Sequence, residues 1–174
     1  GQLDLHAKSI ADYSEFLKLT PSDFGAWSNR GWQHHLIGSE EQALNDLTEA
    51  LRLNPKFLGA YTSRAQVYAA KQQHDQAQAD FALALEIDPK NFWTFAHRGN
   101  YWRDRSEFDK AHADYAEALK VDEKSAFALD NRGVLFLQQK EYEKAITDFT
   151  TVIAVAPNFA AAYYNRGLAK SYLG

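Results

Sequence analysis

The sequence has no cysteine and no methionine, and only four prolines and nine glycines among 174 residues. Without cysteine, disulfides, thiolate metal sites and a cysteine nucleophile are excluded, and the redox compartment stays open. The missing methionine, an initiator included, is what an excised piece would show, with Gly1 as a remnant. An excess of positive charge is absent too. Nineteen Lys and Arg stand against 23 Asp and Glu, a net charge of -4 that leaves no footprint for nucleic acid or an anionic membrane. No apolar run approaches the roughly 20 residues of a membrane span, and the N-terminus lacks the basic segment and apolar stretch of a signal peptide. Cytoplasm is therefore the default expectation. With 45% apolar and 24% charged residues, the chain has apolar surface enough for one continuous core.

What is abundant is repetition. A short phrase occurs five times at a spacing of 34 residues: Asn29-Arg30-Gly31, Ser63-Arg64-Ala65, His97-Arg98-Gly99, Asn131-Arg132-Gly133 and Asn165-Arg166-Gly167. A fixed period of roughly 20 to 50 residues marks units too small to bury a core alone, which stack on their neighbours. From Leu5 to Leu19 the apolar residues Ile10, Tyr13, Phe16, Leu17 and Leu19 recur at helical spacing, so this stretch reads as one amphipathic helix stopped by Pro21. From Phe24 onward each period holds a helix, a short turn, a second helix and a break. Pro21, Pro55, Pro89 and Pro157 follow second helices, and Glu123 interrupts that series. Asp23, Asn91 and Ser125 are candidate N-caps of first helices, and Ser39 with Gln42 has a capping-box pattern.

Gly31, Ala65, Gly99, Gly133 and Gly167 fall in mid helix, where glycine costs about 1 kcal/mol against alanine. Close packing must offset that cost. Ala43, Ala77, Ala111 and Ala145 supply small residues on the second helices. Trp27, Tyr61, Phe95, Leu129 and Tyr163 on first helices, and Tyr13, Leu47, Phe81, Tyr115 and Phe149 on second ones, are the large residues that flank the contact.

These features resemble the tetratricopeptide repeat, a 34-residue helix-turn-helix unit with a W…G…Y…A…F…A…P pattern. Trp27, Gly31, Ala43, Leu47, Ala50 and Pro55 match it in the first full unit. The resemblance implies an all-α fold, a right-handed superhelical α-solenoid of antiparallel helix pairs over residues 1–174. It divides into a lone second helix at 1–22, full repeats at 23–56, 57–90, 91–124 and 125–158, and a lone first helix at 159–174. It further implies a concave groove, lined by first helices, that binds peptides or partner proteins.

Where such repeats often carry an apolar residue, this chain has Arg30, Arg64, Arg98, Arg132 and Arg166. A buried arginine needs a partner. Asp12, Asp46, Asp80, Asp114 and Asp148 recur at the same period, and each arginine is expected to bridge the aspartates of its own and the preceding unit in one continuous ladder. The alternative has the arginines facing the groove to clamp acidic ligands. Chemistry is not expected elsewhere. His34 and His35 diverge by about 100° around a helix, no zinc signature arises, and neither a strained serine turn nor a phosphate loop is present, so no cofactor, no metal and no enzymatic activity are expected.

On the family's groove positions stand Ser28, Asn29, Trp32, His35, Thr62 and Gln66, followed by Trp93, Ala96, His97, Asn100 and Arg103. Phe127, Asp130, Asn131, Tyr164 and Asn165 continue the series. Trp32, Trp93, Phe127 and Tyr164 are candidate aromatic anchors, although Trp32 and Trp93 suit a core equally well, and the asparagines are candidate holders of a peptide backbone. A clamp for acidic C-termini is discounted, because Ser28, Thr62, Ala96 and Asp130 occupy its lysine positions. The unmatched terminal helices fit either a longer array or pairing of one molecule's C-terminal helix with another's N-terminal helix. The expectation is an interaction scaffold for another protein or peptide, with end-to-end self-association as the alternative; neither nucleic acid nor membrane is expected as partner.

Overall fold

The computed structural model describes residues 1–174 and consists of ten helices joined by short turns. They are α1 (Gln2–Leu19), α2 (Phe24–Leu36), α3 (Glu40–Leu53), α4 (Leu58–Ala70), α5 (His74–Ile87), α6 (Phe92–Asp104), α7 (Phe108–Val121), α8 (Ala126–Gln138), α9 (Tyr142–Val155) and α10 (Ala160–Leu173). α1 begins three residues before the expected Leu5, since nothing in Gln2–Asp4 breaks a helix. None is long and apolar enough to cross a membrane. The chain divides into two compact units, Gly1–Pro89 and Lys90–Gly174.

Local chemistry sets the helix ends. Asp23 Oδ1 accepts from the Ala26 amide at 2.7 Å, Asn91 Oδ1 from Thr94 at 3.0 Å and Ser125 Oγ from Ala128 at 3.4 Å, so three first helices are capped by side chains. The capping box expected at Ser39 does not form: its side chain makes no cap bond, and only its carbonyl engages, accepting from Ala43. Ser39 is at φ -93 and ψ 66, outside the extended conformation that aims a cap hydroxyl at the helix. Each proline lies two residues past the end of its helix, where no helical amide is needed. The turn that carries Glu123 instead is held as its counterpart at Asn54 is: Asp122 Oδ1 accepts from the Lys124 amide and Asn54 Oδ1 from Lys56, both at 3.1 Å.

Between first and second helices the chain needs one left-handed residue. Gly38 takes it in the first full repeat at φ 75, whereas Gln72, Ser106 and Lys140 take it at φ 60, 59 and 62. The following amide then donates back five residues, as Ser39 does to His34 at 2.8 Å and Glu141 to Phe136 at 2.9 Å.

In the first unit, Ala43, Leu47, Ala50, Ala60 and Val67 are fully buried, with Trp27, Phe57 and Tyr61 packed on them. The polar tips of the two aromatic anchors stay satisfied: Trp27 Nε1 donates to the Pro21 carbonyl and Tyr61 Oη to that of Pro55. In the second unit, Ala145, Phe149, Val152, Ala162 and Ala169 form one cluster and Ala111, Tyr115 and Leu135 another. The mid-helix glycines are packing devices here. A Cβ on Gly99 would lie 2.7 Å from Tyr115 Cε1, and one on Gly133 2.7 Å from Phe149 Cε1, so the backbones approach until an aromatic ring covers the glycine.

Candidate functional site

The arginines and aspartates form separate rungs. Both oxygens of each aspartate are taken by the arginine sixteen residues earlier: Arg30 Nε and Nη2 reach Asp46 at 2.7 Å each, and Arg132 reaches Asp148 at 2.8 Å each. Arg64 with Asp80 and Arg98 with Asp114 repeat the geometry at 2.7 to 2.8 Å. The aspartates are buried and the arginines half-buried. Flanking rings cover the guanidinium groups, with Arg30 4.7 Å above Trp27 and Arg98 5.7 Å above Phe95.

The continuous ladder is corrected by this geometry. The aspartate of the preceding repeat does not take part, because both of its oxygens already face its own first helix. Two residues later, about 200° around the helix, a hydroxyl faces the next one instead. Arg30 Nη1 donates to Ser14 Oγ at 3.1 Å and Arg64 Nη1 to Thr48 Oγ1 at 3.2 Å. Arg166 has only this second type of contact, to Thr150 Oγ1 at 3.3 Å, and Asp12 is exposed on α1 and paired with no arginine.

Histidines are engaged one at a time. His6 shares a hydrogen bond with Gln33 Oε1 at 2.7 Å, His112 with Gln139 Oε1 at 2.6 Å and His35 with Glu40 Oε2 at 2.8 Å. His34 points the other way from His35, its Nε2 3.9 Å from Asp46 Oδ2, and burial pulls its pKa below the ordinary histidine range.

In the second unit the first helices α6, α8 and α10 lie side by side and present a common face. At its aromatic end are Trp93, His97 and Phe127. Trp93 is 55% exposed, and its ring centroid is 5.5 Å from Phe127 and 6.0 Å from His97. His97 also lies 5.4 Å from Phe127, and burial lowers its pKa to about 4, so the imidazole is neutral at pH 7. One turn further on the face becomes polar. Asn131 Nδ2 donates to the Phe127 carbonyl at 2.8 Å, while its Oδ1 accepts from Arg103 Nη1 at 3.0 Å. The rest of the Arg103 guanidinium is held by Asp104 Oδ1, at 3.1 Å from Nε and 2.9 Å from Nη2. Asn100 is fixed from behind, its Oδ1 accepting from the buried Tyr115 phenol at 2.6 Å, and burial pushes that phenol upward in pKa.

Asp130 completes this region. Burial raises its pKa, Asn165 and the positive charge of Arg103 oppose the rise, and one carboxylate oxygen, Oδ1, is buried without a partner. Sequence reading placed Asp130 at a groove position but gave it no role. The signal was in the column at 34-residue spacing, Ser28, Thr62, Ala96, Asp130 and Tyr164, where an acid follows three small residues. Ser28, Thr62 and Ala96, expected on display in the groove, are instead buried at 6%, 5% and 0% exposure, because only a small side chain fits where neighbouring first helices touch. Tyr164 is 72% exposed.

In the first unit the corresponding face belongs to α2 and α4. Asn29 is exposed there, Trp32 is half-buried with its ring 5.0 Å from His35, and Gln66 Nε2 donates back to the Thr62 carbonyl at 3.2 Å. The expected binding residues therefore fall into two sets, and the second unit holds the one in which aromatic and polar groups converge.

Known proteins agree with this architecture. Models described as tetratricopeptide repeat match residues 58–91 and 98–150, and one described as TPR repeat matches 133–174. No curated protein matches the chain. Among solved structures, a thermophilic TPR protein of Thermus thermophilus aligns with a TM-score of 0.87 at 19% identity, covering 97% of this chain and 92% of that one. The Cut9 and Hcn1 hetero-tetramer of APC/C aligns at 0.83 and 16% identity over 97% of this chain, which spans 34% of that chain. YrrB, a TPR protein whose structure is described as having an unusual peptide-binding site, aligns at 0.61 and 22% identity, covering 92% of this chain and 82% of that one. At these identities the likeness carries the fold, an all-helical solenoid of 34-residue helix pairs.

Proposed function

The chain belongs to the tetratricopeptide-repeat family, and on that premise we propose that it is a non-enzymatic interaction scaffold that takes a peptide or partner segment on its first-helix face. The observation that carries this reading is the aromatic group Trp93, His97 and Phe127, which leaves an indole 55% exposed beside polar side chains already fixed in place. Aromatic anchors dominate binding energy, and groups held before binding lose little freedom on it. Asn131 and Arg103 hold each other, Tyr115 holds Asn100, and Asn165 meets Asp130, so the polar part is preorganised. The peptide-binding site described for YrrB supports the same reading. Tyr164 on α10 joins this surface, and Asn29, Trp32, His35 and Gln66 are proposed as the corresponding contact residues of the first unit. A pull-down comparing the intact chain with Trp93→Ala and Asn131→Ala tests the proposal. Partners should be lost from both variants while their helical circular dichroism is kept; partners retained by both would refute it.

A second reading, self-association, is favoured by one observation. Arg166 has no carboxylate, and a Cβ on Gly167 would meet nothing within 4 Å, whereas Gly31, Gly99 and Gly133 are each covered by a second-helix side chain. By the 34-residue register, Asp12 and Tyr13 are the residue types that fill those two places in other repeats. In this reading α1 of a second molecule covers α10. Sedimentation of the chain should then show concentration-dependent association that Arg166→Asp abolishes and the added Asp12→Arg restores. A single monomeric species at high concentration would remove it.

A further inference from the structure

The polar strip that continues from the exposed indole of Trp93 along α6 and α8 offers a ligand hydrogen-bond donors and few acceptors. On α6, Asn100 turns its Oδ1 back to the buried Tyr115 hydroxyl at 2.6 Å, so the opposite pole of the planar carboxamide faces outward. Its Nδ2 is neither partnered in the protein nor buried, which leaves two N–H groups free. On α8, Asn131 is oriented twice over: Oδ1 accepts from Arg103 and one Nδ2 hydrogen goes to the Phe127 carbonyl, leaving one N–H. Arg103, three residues beyond Asn100 on the same stripe, adds donors only. Asp130 gives a ligand nothing to reach, because Oδ1 is buried and Asn165 and Arg103 act on the carboxylate from within the fold. Acceptors remain at the margins, on Asp104, whose side chain is 66% exposed, and on Asn165, whose amide nitrogen is turned to Asp130.

Such a strip discriminates against ordinary backbone. Each peptide N–H carried onto it would lose water and find no acceptor, and an unmade bond of this kind costs more than a made one returns. Proline has no N–H, and its carbonyl still accepts. Segments rich in it dock on aromatic surfaces as polyproline II, a form already ordered before binding. The dimensions agree. Trp93 and Asn100 stand seven residues apart on α6, about 10 Å along the axis, and one three-residue turn of polyproline II spans about 9 Å. We propose that this strip selects a proline-rich segment in the polyproline II form, one prolyl ring lying on Trp93 and Phe127 and a prolyl carbonyl about one turn further on accepting from Asn100 and Asn131. The inference rests on the groove reading above and adds the chemistry of the ligand.

The probe is a phage-displayed library of random dodecapeptides, panned against the intact chain. Enriched sequences are then synthesised with alanine or N-methylalanine at each recurring proline. Peptides that lose binding to Trp93→Ala should carry prolines three positions apart. Alanine restores the backbone N–H and should weaken them about tenfold, whereas N-methylalanine, which lacks it, should recover most of that loss. Asn100→Asp keeps an oxygen for Tyr115 but puts an acceptor where the outward N–H groups stood. It should therefore weaken the same peptides by about tenfold or more while the helical circular dichroism is kept. Trp93-dependent peptides without proline, equal losses from alanine and N-methylalanine, or indifference to Asn100→Asp would overturn the assignment and leave the groove reading standing. A library that yields no peptide dependent on Trp93 would overturn both.

Discussion

Replacing Gly99 and Gly167 by alanine in parallel tests whether the mid-helix glycines exist for packing. Helix propensity favours alanine at both sites by about 1 kcal/mol. At Gly99 the new Cβ would lie 2.7 Å from Tyr115 Cε1 and 2.9 Å from Cδ1, and Tyr115 is fully buried with its hydroxyl bonded to Asn100 at 2.6 Å. A ring held at both ends cannot step aside, so overpacking here falls in the upper part of its usual range, about 2–3 kcal/mol. The net expectation is a loss of about 1–2 kcal/mol, or roughly 3–6 °C in Tm for a chain of this size. At Gly167 nothing lies within 4 Å, so the propensity gain stands alone and Gly167→Ala should stabilise by up to about 1 kcal/mol. Thermal unfolding, with amide exchange of α6 and α7 as the local check, reads both signs. The chain contains its own control, because Ala65 occupies the equivalent position at 0% exposure in the repeat of Phe81, which has no hydroxyl to anchor it. Should Gly99→Ala prove neutral or stabilising, Tyr115 yields despite its anchor and the packing argument fails.

Arg98→Ala would leave Asp114 buried without its bidentate partner and should cost about 3 kcal/mol in urea unfolding; a loss under about 0.5 kcal/mol would mean the rung is a surface pair. His97, lowered to about 4 from an ordinary value near 6.5, stays neutral in the fold while the unfolded chain takes a proton. Its contribution is complete above about pH 6.5 and is lost as pH falls toward 4, by roughly 3 kcal/mol, and His97→Gln should remove that part of the acid sensitivity. Lys140 is at φ 62, a left-handed conformation that costs a side chain about 1–2 kcal/mol, so Lys140→Gly should stabilise by up to about 1 kcal/mol, while Gly38→Lys at φ 75 should destabilise by about as much. Denaturation midpoints of the two variants check the opposed signs.

The repeat frame was legible because it is written as spacing. Glycine, alanine, aromatic and arginine columns at 34 residues dictate which helices touch, and the paired columns of Arg30 and Asp46 meet as their period requires. The side on which each aspartate turns was not legible, since period alone does not distinguish the first helix before it from the one after it. Position around the helix does, and it assigns the second contact to Ser14 and Thr48. The site was legible only in outline. Trp93 suited core and groove equally as a sequence letter, and only the structure leaves its indole out. Asn100 and Asn131 read as free hydrogen-bonding groups, yet Tyr115 and Arg103 occupy them, because a buried phenol and a guanidinium fork must find acceptors wherever the fold puts them.

Because each carboxylate is gripped from within its own hairpin, the ion pairs act as cross-braces inside rigid links and not as cables running between them. The joints carry apolar contact and, at Ser14, Thr48 and Thr150, a single hydroxyl tie. A joint of this kind within a unit can flex without straining a charge. Between α7 and α8 the corresponding position is Ala116, which offers no hydroxyl to Arg132, so that joint should be the most compliant in its unit. Under tension it is where the hairpins should begin to part.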